Sequence, residues 1–196
     1  MMRLSIRPPV IRNHRGFVLM ASLLLLLIAT IFSLAMFRRF GLEQRIGGNI
    51  REKQRAVQAA ESALQYAEWW LTQPNNAFSY VGNCSGTLNA NAGQGQVCLN
   101  GLSTLVTDIA TVPWIASGSP IGTNYVPPGM TVAITPSTGT YYAAPVFYVS
   151  LVGSAPNGVG QVYQIDAVGY GGTADAVAVV ESTYQVVPGI KNLALP

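Results

Sequence analysis

Residues 17–37 form a run of 21 positions without a single charge, and their only hydroxyls are Ser22, Thr30 and Ser33. At 1.5 Å of rise per residue a helix of this length covers about 30 Å, the hydrocarbon thickness of a bilayer. Residues 23–27 are five consecutive leucines, each favouring insertion by about 0.5 kcal/mol at the bilayer centre. A helix that is apolar on every side has to be enclosed by lipid or by other helices. With 196 residues in all, the chain has room for this segment and one further domain. The positive mean hydropathy of +0.32 is thus concentrated at one end.

Charge is just as unevenly distributed. Residues 1–55 hold ten Lys or Arg against Glu43 and Glu52, a net +8, whereas residues 56–196 hold Lys191 against six carboxylates, a net −5. Arg3, Arg7, Arg12 and Arg15 precede the apolar run, and Arg38 and Arg39 follow it. That asymmetry favours a cytoplasmic N-terminus with the remainder exported. Cys84 and Cys98, the two cysteines, have 13 residues between them. An oxidising compartment would close that loop and stabilise the fold by about 3 kcal/mol.

Beyond Gly41 the pattern becomes amphipathic. Ile46, Ile50, Val57, Ala60, Leu64, Ala67 and Leu71 recur at helical spacing, with Arg45, Arg51, Glu52, Arg55, Gln58, Gln65 and Glu68 opposite. Pro74 ends the pattern. The spacing predicts one helix from about Phe17 to Thr72, on the order of 80 Å long, weakened at Gly41 and at Gly47-Gly48. Residues 74–130 read as turns and loops, with a short helix around 102–110 and Trp114 packed locally. After Met130 come four segments rich in Val, Ile, Tyr and Thr, at 131–135, 146–152, 162–169 and 176–187, predicting an antiparallel meander. The expected architecture is α+β, with the sheet laid on the C-terminal half of the helix. Its parts are a basic leader (1–16), an apolar helix half (17–37), an amphipathic half (38–73), a disulfide-stapled loop region (74–130), a sheet (131–187) and a tail (188–196).

The junction Arg12-Asn13-His14-Arg15-Gly16-Phe17 joins a basic leader to the apolar run without a break. It resembles the prepilin peptidase site of type IV pilins, which implies cleavage between Gly16 and Phe17 and methylation of the new N-terminal Phe17. Major pilins carry Glu at the fifth position after the cut, where this chain has Ala21, a departure that resembles minor pilins in a terminal or initiating position. Two further stretches are similar to the PilX family of minor pilins. One is Gly48-Asn49-Ile50-Arg51-Glu52-Lys53-Gln54-Arg55-Ala56-Val57-Gln58-Ala59-Ala60-Glu61-Ser62-Ala63-Leu64. The other is Tyr163-Gln164-Ile165-Asp166-Ala167-Val168-Gly169-Tyr170-Gly171-Gly172, followed by Ala178-Val179-Val180-Glu181-Ser182-Thr183-Tyr184.

The resemblance implies a single-pass inner-membrane protein with a periplasmic head, later located at the pilus tip. It implies as partners other minor pilins, the major pilin, a PilY-type tip adhesin, the prepilin peptidase and the inner-membrane assembly platform. Pilus initiation, cell adhesion and twitching motility are the activities such an assembly serves. The competing readings are a minor pseudopilin of a type II secretion system and a membrane-anchored periplasmic binding protein. An ordinary signal peptide is a further alternative, with Ser33-Leu34-Ala35 as its cleavage site.

Other chemistry finds little support in the residues. The one histidine, His14, lies in the leader, so a processed chain would lack Ser-His-Asp, Cys-His and His-metal arrangements. No catalytic residues, metal or cofactor are expected, and the chain is not read as an enzyme. Glu61 and Glu68 lie two turns apart on one helix face and read as a solvated or partner-facing strip. Asp166 and Asp175 bracket a glycine-rich turn without EF-hand spacing. Trp69-Trp70 reads as core packing for at least one ring. Nucleic acid binding is disfavoured by the acidic balance after residue 55.

Overall fold

The computed structural model describes residues 15–133, 135 and 139–187. The leader up to His14, residue 134, residues 136–138, and the tail 188–196 with Lys191 lie outside the described residues. The chain divides into two compact units, Met1–Gly47 and Gly48–Pro196.

Helix α1 (Arg15–Thr72) is 58 residues long. In the first unit its large apolar residues are exposed from Phe17 to Phe37 and on through Phe40, Leu42 and Ile46. By length and composition this helix can cross a membrane. It stops at Pro74, and its last carbonyls are taken up locally: the Gln73 side-chain amide donates to Trp69 O at 3.1 Å and that of Asn76 to Trp70 O at 2.9 Å.

The second unit contains β1 (Tyr80–Val81), β2 (Thr87–Asn89), β3 (Val97–Cys98), the short α2 (Leu102–Leu105), β4 (Ile115–Ala116), β5 (Ser119–Pro120), β6 (Gly122–Asn124), β7 (Val146–Ser154), β8 (Gln161–Tyr170) and β9 (Val177–Val186). Among the described residues, seven of these strands form one sheet, and β4 and β5 form a separate small hairpin. β7 is its hub. One edge pairs antiparallel with β8, which pairs antiparallel with β9. The other edge is shared by β6, antiparallel at Val146 and Phe147, and by β3, parallel at Ser150. β2 adds parallel to β6, and β1 parallel to β3.

The sheet is therefore mixed, and the antiparallel meander of the sequence reading holds for β7–β9 alone. The region read as loops supplies β1, β2, β3 and β6, strands of two or three residues that are too short to show alternation. The strand expected at 131–135 shrinks, among its described residues, to a single bridge between Val132 and Tyr141. Both edges of β7 are occupied by β8, β6 and β3, so the place beside β7 that a meander would give it is taken. The helix expected over 102–110 is one turn, α2, whereas Trp114 is buried as expected and donates its indole N–H to Ile109 O at 2.7 Å.

Each face of the sheet carries a core. Toward α1, Phe147, Val149, Tyr163, Ile165 and Ala167 pack on Ala63, Ala67, Trp70 and Leu71. On the far face, Tyr148, Val168 and Tyr170 pack with Cys84, Cys98, Leu102, Trp114 and Ile121 from the region between helix and meander. The buried stripe of α1 runs through Ala56, Ala59, Ala60, Ala63 and Ala67 to Trp70 and Leu71; it includes Ala60, Ala67 and Leu71 of the expected line, with Leu64 partly buried against the core. Ile46 and Ile50 are 56% and 54% exposed. Alanine is selected because it lets two backbones approach, and β8 uses that freedom at Gly169.

Candidate functional site

Gly16 and Phe17 lie in the first turn of α1, and Phe17 is 74% exposed. Ala21, one turn later, sits in a helix stretch whose larger neighbours, from Leu19 to Leu25, are exposed. The surface that α1 offers here is almost entirely hydrocarbon: the hydroxyls of Ser22 and Thr30 both turn back onto helix carbonyls, at 2.9 Å to Leu19 O and 2.8 Å to Leu27 O. A side chain that satisfies its own hydroxyl on the preceding turn can face lipid or another helix at little cost.

The head fastens to the helix through a polar cluster that the sequence reading placed on the solvent face. The Glu52 carboxylate accepts the Gly172 N–H and two bonds from the Arg55 guanidinium, at 3.0 and 3.1 Å. Arg55 also donates to Thr140 O at 2.6 Å and lies 4.4 Å from the centre of the Tyr141 ring. Lys53 donates to Val177 O. The Gly172 N–H, with Arg55 beside it, holds the Glu52 carboxyl below the usual carboxylate range. These groups belong inward because Gly171 and Gly172 carry no side chain where the Glu52 backbone and carboxylate sit. The signal in the sequence was the Glu52-x-x-Arg55 spacing together with the Gly171-Gly172 pair.

The remaining candidates are distributed over the head. Glu61 is exposed, while Glu68 accepts the Ser182 hydroxyl at 3.0 Å from β9. Trp70 is buried and Trp69 exposed. Cys84 and Cys98 form a disulfide, both buried in the far-face core. Asp175 lies exposed in the turn before β9. Asp166 is fully buried in β8, with the Gln164 amide at 3.2 Å and Glu181 opposite it in the ladder. Among the described residues, no group of three or more His, Cys, Asp or Glu is placed to hold a metal ion.

Burial pushes the Asp166 carboxyl up to about 6, with the nearby Glu181 acting in the same direction and Gln164 opposing it. Its protonated form fits the folded head better than the ionised one does. This contribution is complete below the unfolded pKa, near 4, and is lost as pH rises through about 6. About two pKa units correspond to about 3 kcal/mol. We expect the urea midpoint of the full chain in detergent to fall between pH 4 and 7, and Asp166→Asn to flatten that slope. Glu52 has the opposite sign, and its contribution is lost only as pH falls below the ordinary carboxylate range.

Residues 15–65 match the family model described as PilX N-terminal. That segment, about a quarter of the chain, is similar to the N-terminal part of PilX-type pilins. The match begins beside Gly16 and ends within the alanine stripe, so it covers the apolar helix half and most of the helix face on which the head rests. Together with the long apolar helix and the sheet that follows, it gives the chain a pilin-like α+β layout. The PilX-type segment points to a minor pilin of a type IV pilus, to association with other pilus components and to membrane anchoring through α1. Proteins of that kind are structural. Neither the curated proteins nor the solved structures contain a match to the chain.

Proposed function

We propose that the chain is a PilX-type minor pilin that is cut between Gly16 and Phe17, methylated on Phe17, and used in the initiating and tip complex of a type IV pilus. The observation that carries the reading is the juxtaposition, within the matched segment, of a basic Gly-Phe junction and a 21-residue apolar run. Before assembly, residues 17–37 hold the chain in the inner membrane with the head in the periplasm. As the subunit leaves the bilayer, the same surface packs among the equivalent helices of other pilins, exchanging lipid contacts for helix contacts. Ala21 leaves no carboxylate there for a neighbour's amino terminus, which suits a subunit added once better than one added repeatedly. The partners proposed are the other minor pilins, the major pilin and a PilY-type adhesin, reached through the prepilin peptidase and the assembly platform.

Mass spectrometry of the intact protein from its own host tests the reading directly. A mature chain beginning at N-methylated Phe17 is expected, and Gly16→Leu is expected to accumulate in the membrane at full length. A mature chain that begins at Met36 instead identifies an ordinary secreted protein and ends the pilin reading.

A further inference from the structure

Strand β9 is ten residues long and pairs with β8 in unbroken register, from Gln161↔Val186 to Tyr170↔Val177. Among the described residues no strand lies on its other edge. The Gly171 N–H donates to Ala176 O, which sets the alternation of the antiparallel ladder. It follows that Val177, Val179, Glu181, Thr183 and Gln185 turn their N–H and C=O groups away from β8. Lys53 takes Val177 O, which leaves an edge of four residues. Edge strands are ordinarily protected by lysine, proline, a bulge or brevity. Within residues 177–186 there is no lysine, no proline and no register shift, and valine dominates.

Building on the assembly reading above, we propose that this edge receives an extended strand from a different protein of the pilus complex. Strand direction argues against a second copy of this chain. Val177 meets Lys53 and Ser182 meets Glu68, so β9 runs in the same direction as the helix it lies on. Antiparallel pairing of two copies would put their Gly48 ends at opposite ends of the paired heads, whereas two chains anchored in one membrane enter from the same side. Parallel pairing through the same edge also fails, because a twofold along the strand sets identical residues level while a parallel ladder staggers them.

The two faces of β9 state what the incoming strand carries. On the helix side, Val180, Tyr184 and Val186 are half-buried and unsealed. On the other side, Glu181, Thr183 and Gln185 are exposed. A strand of alternating character satisfies both, with β-branched or aromatic residues beside Val180 and Tyr184 and a Lys or Arg facing Glu181.

Thr183→Pro tests this. It removes one outward N–H while leaving the β8 ladder its donors, the placement at which edge strands tolerate proline. The variant is expected to keep its disulfide and its urea midpoint, and to lower the number of pili per cell by roughly tenfold or more, the effect of about 1.4 kcal/mol lost at the joint. Independently, amide exchange over 177–186 should slow at least about tenfold in the wild-type complex extracted from piliated cells relative to the isolated chain in detergent. A folded Thr183→Pro chain that supports normal piliation, or equal exchange in the two states, overturns the proposal. So does protection of 177–186 in the isolated chain that disappears when residues 188–196 are deleted, since the chain's own tail would then occupy the edge. A strain lacking the whole chain that still assembles normal pili refutes the pilin reading itself. Lost pili in that strain, with normal pili for Thr183→Pro, refute the strand addition alone.

Discussion

Gly169→Val is expected to destabilise the head by on the order of 4 kcal/mol, near the upper end of what a single core substitution does. A Cβ at position 169 would lie 2.3 Å from Ala60 N and 2.4 Å from Ala56 O. Those are backbone atoms of α1, which cannot rotate aside as a side chain does. Relief requires β8 to lift off the alanine stripe, and with it Ile165 and Ala167, which are packed on the same face. Even Gly169→Ala meets this clash and should cost about 2–3 kcal/mol, as overpacking does elsewhere. Unfolding of the full chain in detergent measures both variants. For a protein of this size the valine variant corresponds to a drop in midpoint of roughly 10 °C. A midpoint within a degree of wild type would mean that helix and sheet are not as closely apposed as the alanine stripe implies.

Loss of the Cys84–Cys98 bond is the other large effect. It closes a loop of sequence separation 14, for which chain entropy predicts about 3 kcal/mol. The consequence should be local before it is global. Cys98 ends β3, whose contact with β7 is the single register pair Cys98↔Ser150, and β1 and β3 are two residues each. Strands this short contribute little cooperative pairing, so the far-face layer depends on its core and on this bond. The double Cys84→Ser, Cys98→Ser variant should therefore be cut by protease within residues 82–97 under conditions that leave the wild type intact. Its urea midpoint should fall by the equivalent of about 3 kcal/mol. Both cysteines are buried, at 3% and 1% exposure, so reductant should act on wild type only as fast as that layer opens. Rapid reduction with no change in protease sensitivity would sink the assignment.

Much of the fold was legible in local patterning. The apolar run, the helix continuing to Thr72, its stop at Pro74 and the three long strands all follow from periodicity, because each is long enough to repeat its own signal. The Gly-Phe junction and the helix motif that resembled PilX fall in the segment that the family model matches, whereas the last-hairpin motif lies outside it. Three features were not legible. Ile46 and Ile50 entered the predicted buried line because large residues dominate hydropathy, whereas Ala56, Ala59 and Ala63, which permit the close approach, were passed over. Glu52 and Arg55 were placed on the solvent face because charge alone cannot reveal a glycine pair from the far end of the chain. The six short strands from residues 74–130 carry no alternation to read.

The sequence by itself determined which segment seeks hydrocarbon, where the long helix ends, and that three adjacent strands close an antiparallel unit. Those are local properties, set by the chemistry of residues within a few turns or one hairpin of each other. Only the tertiary structure decided which helix face meets the sheet, that the sheet is mixed, that a second core lies beneath it, and that β9 is left at the edge. Each depends on groups far apart in the chain, or on the order in which strands claim the two edges of β7, and a backbone hydrogen bond carries no side-chain label from which that order could be read.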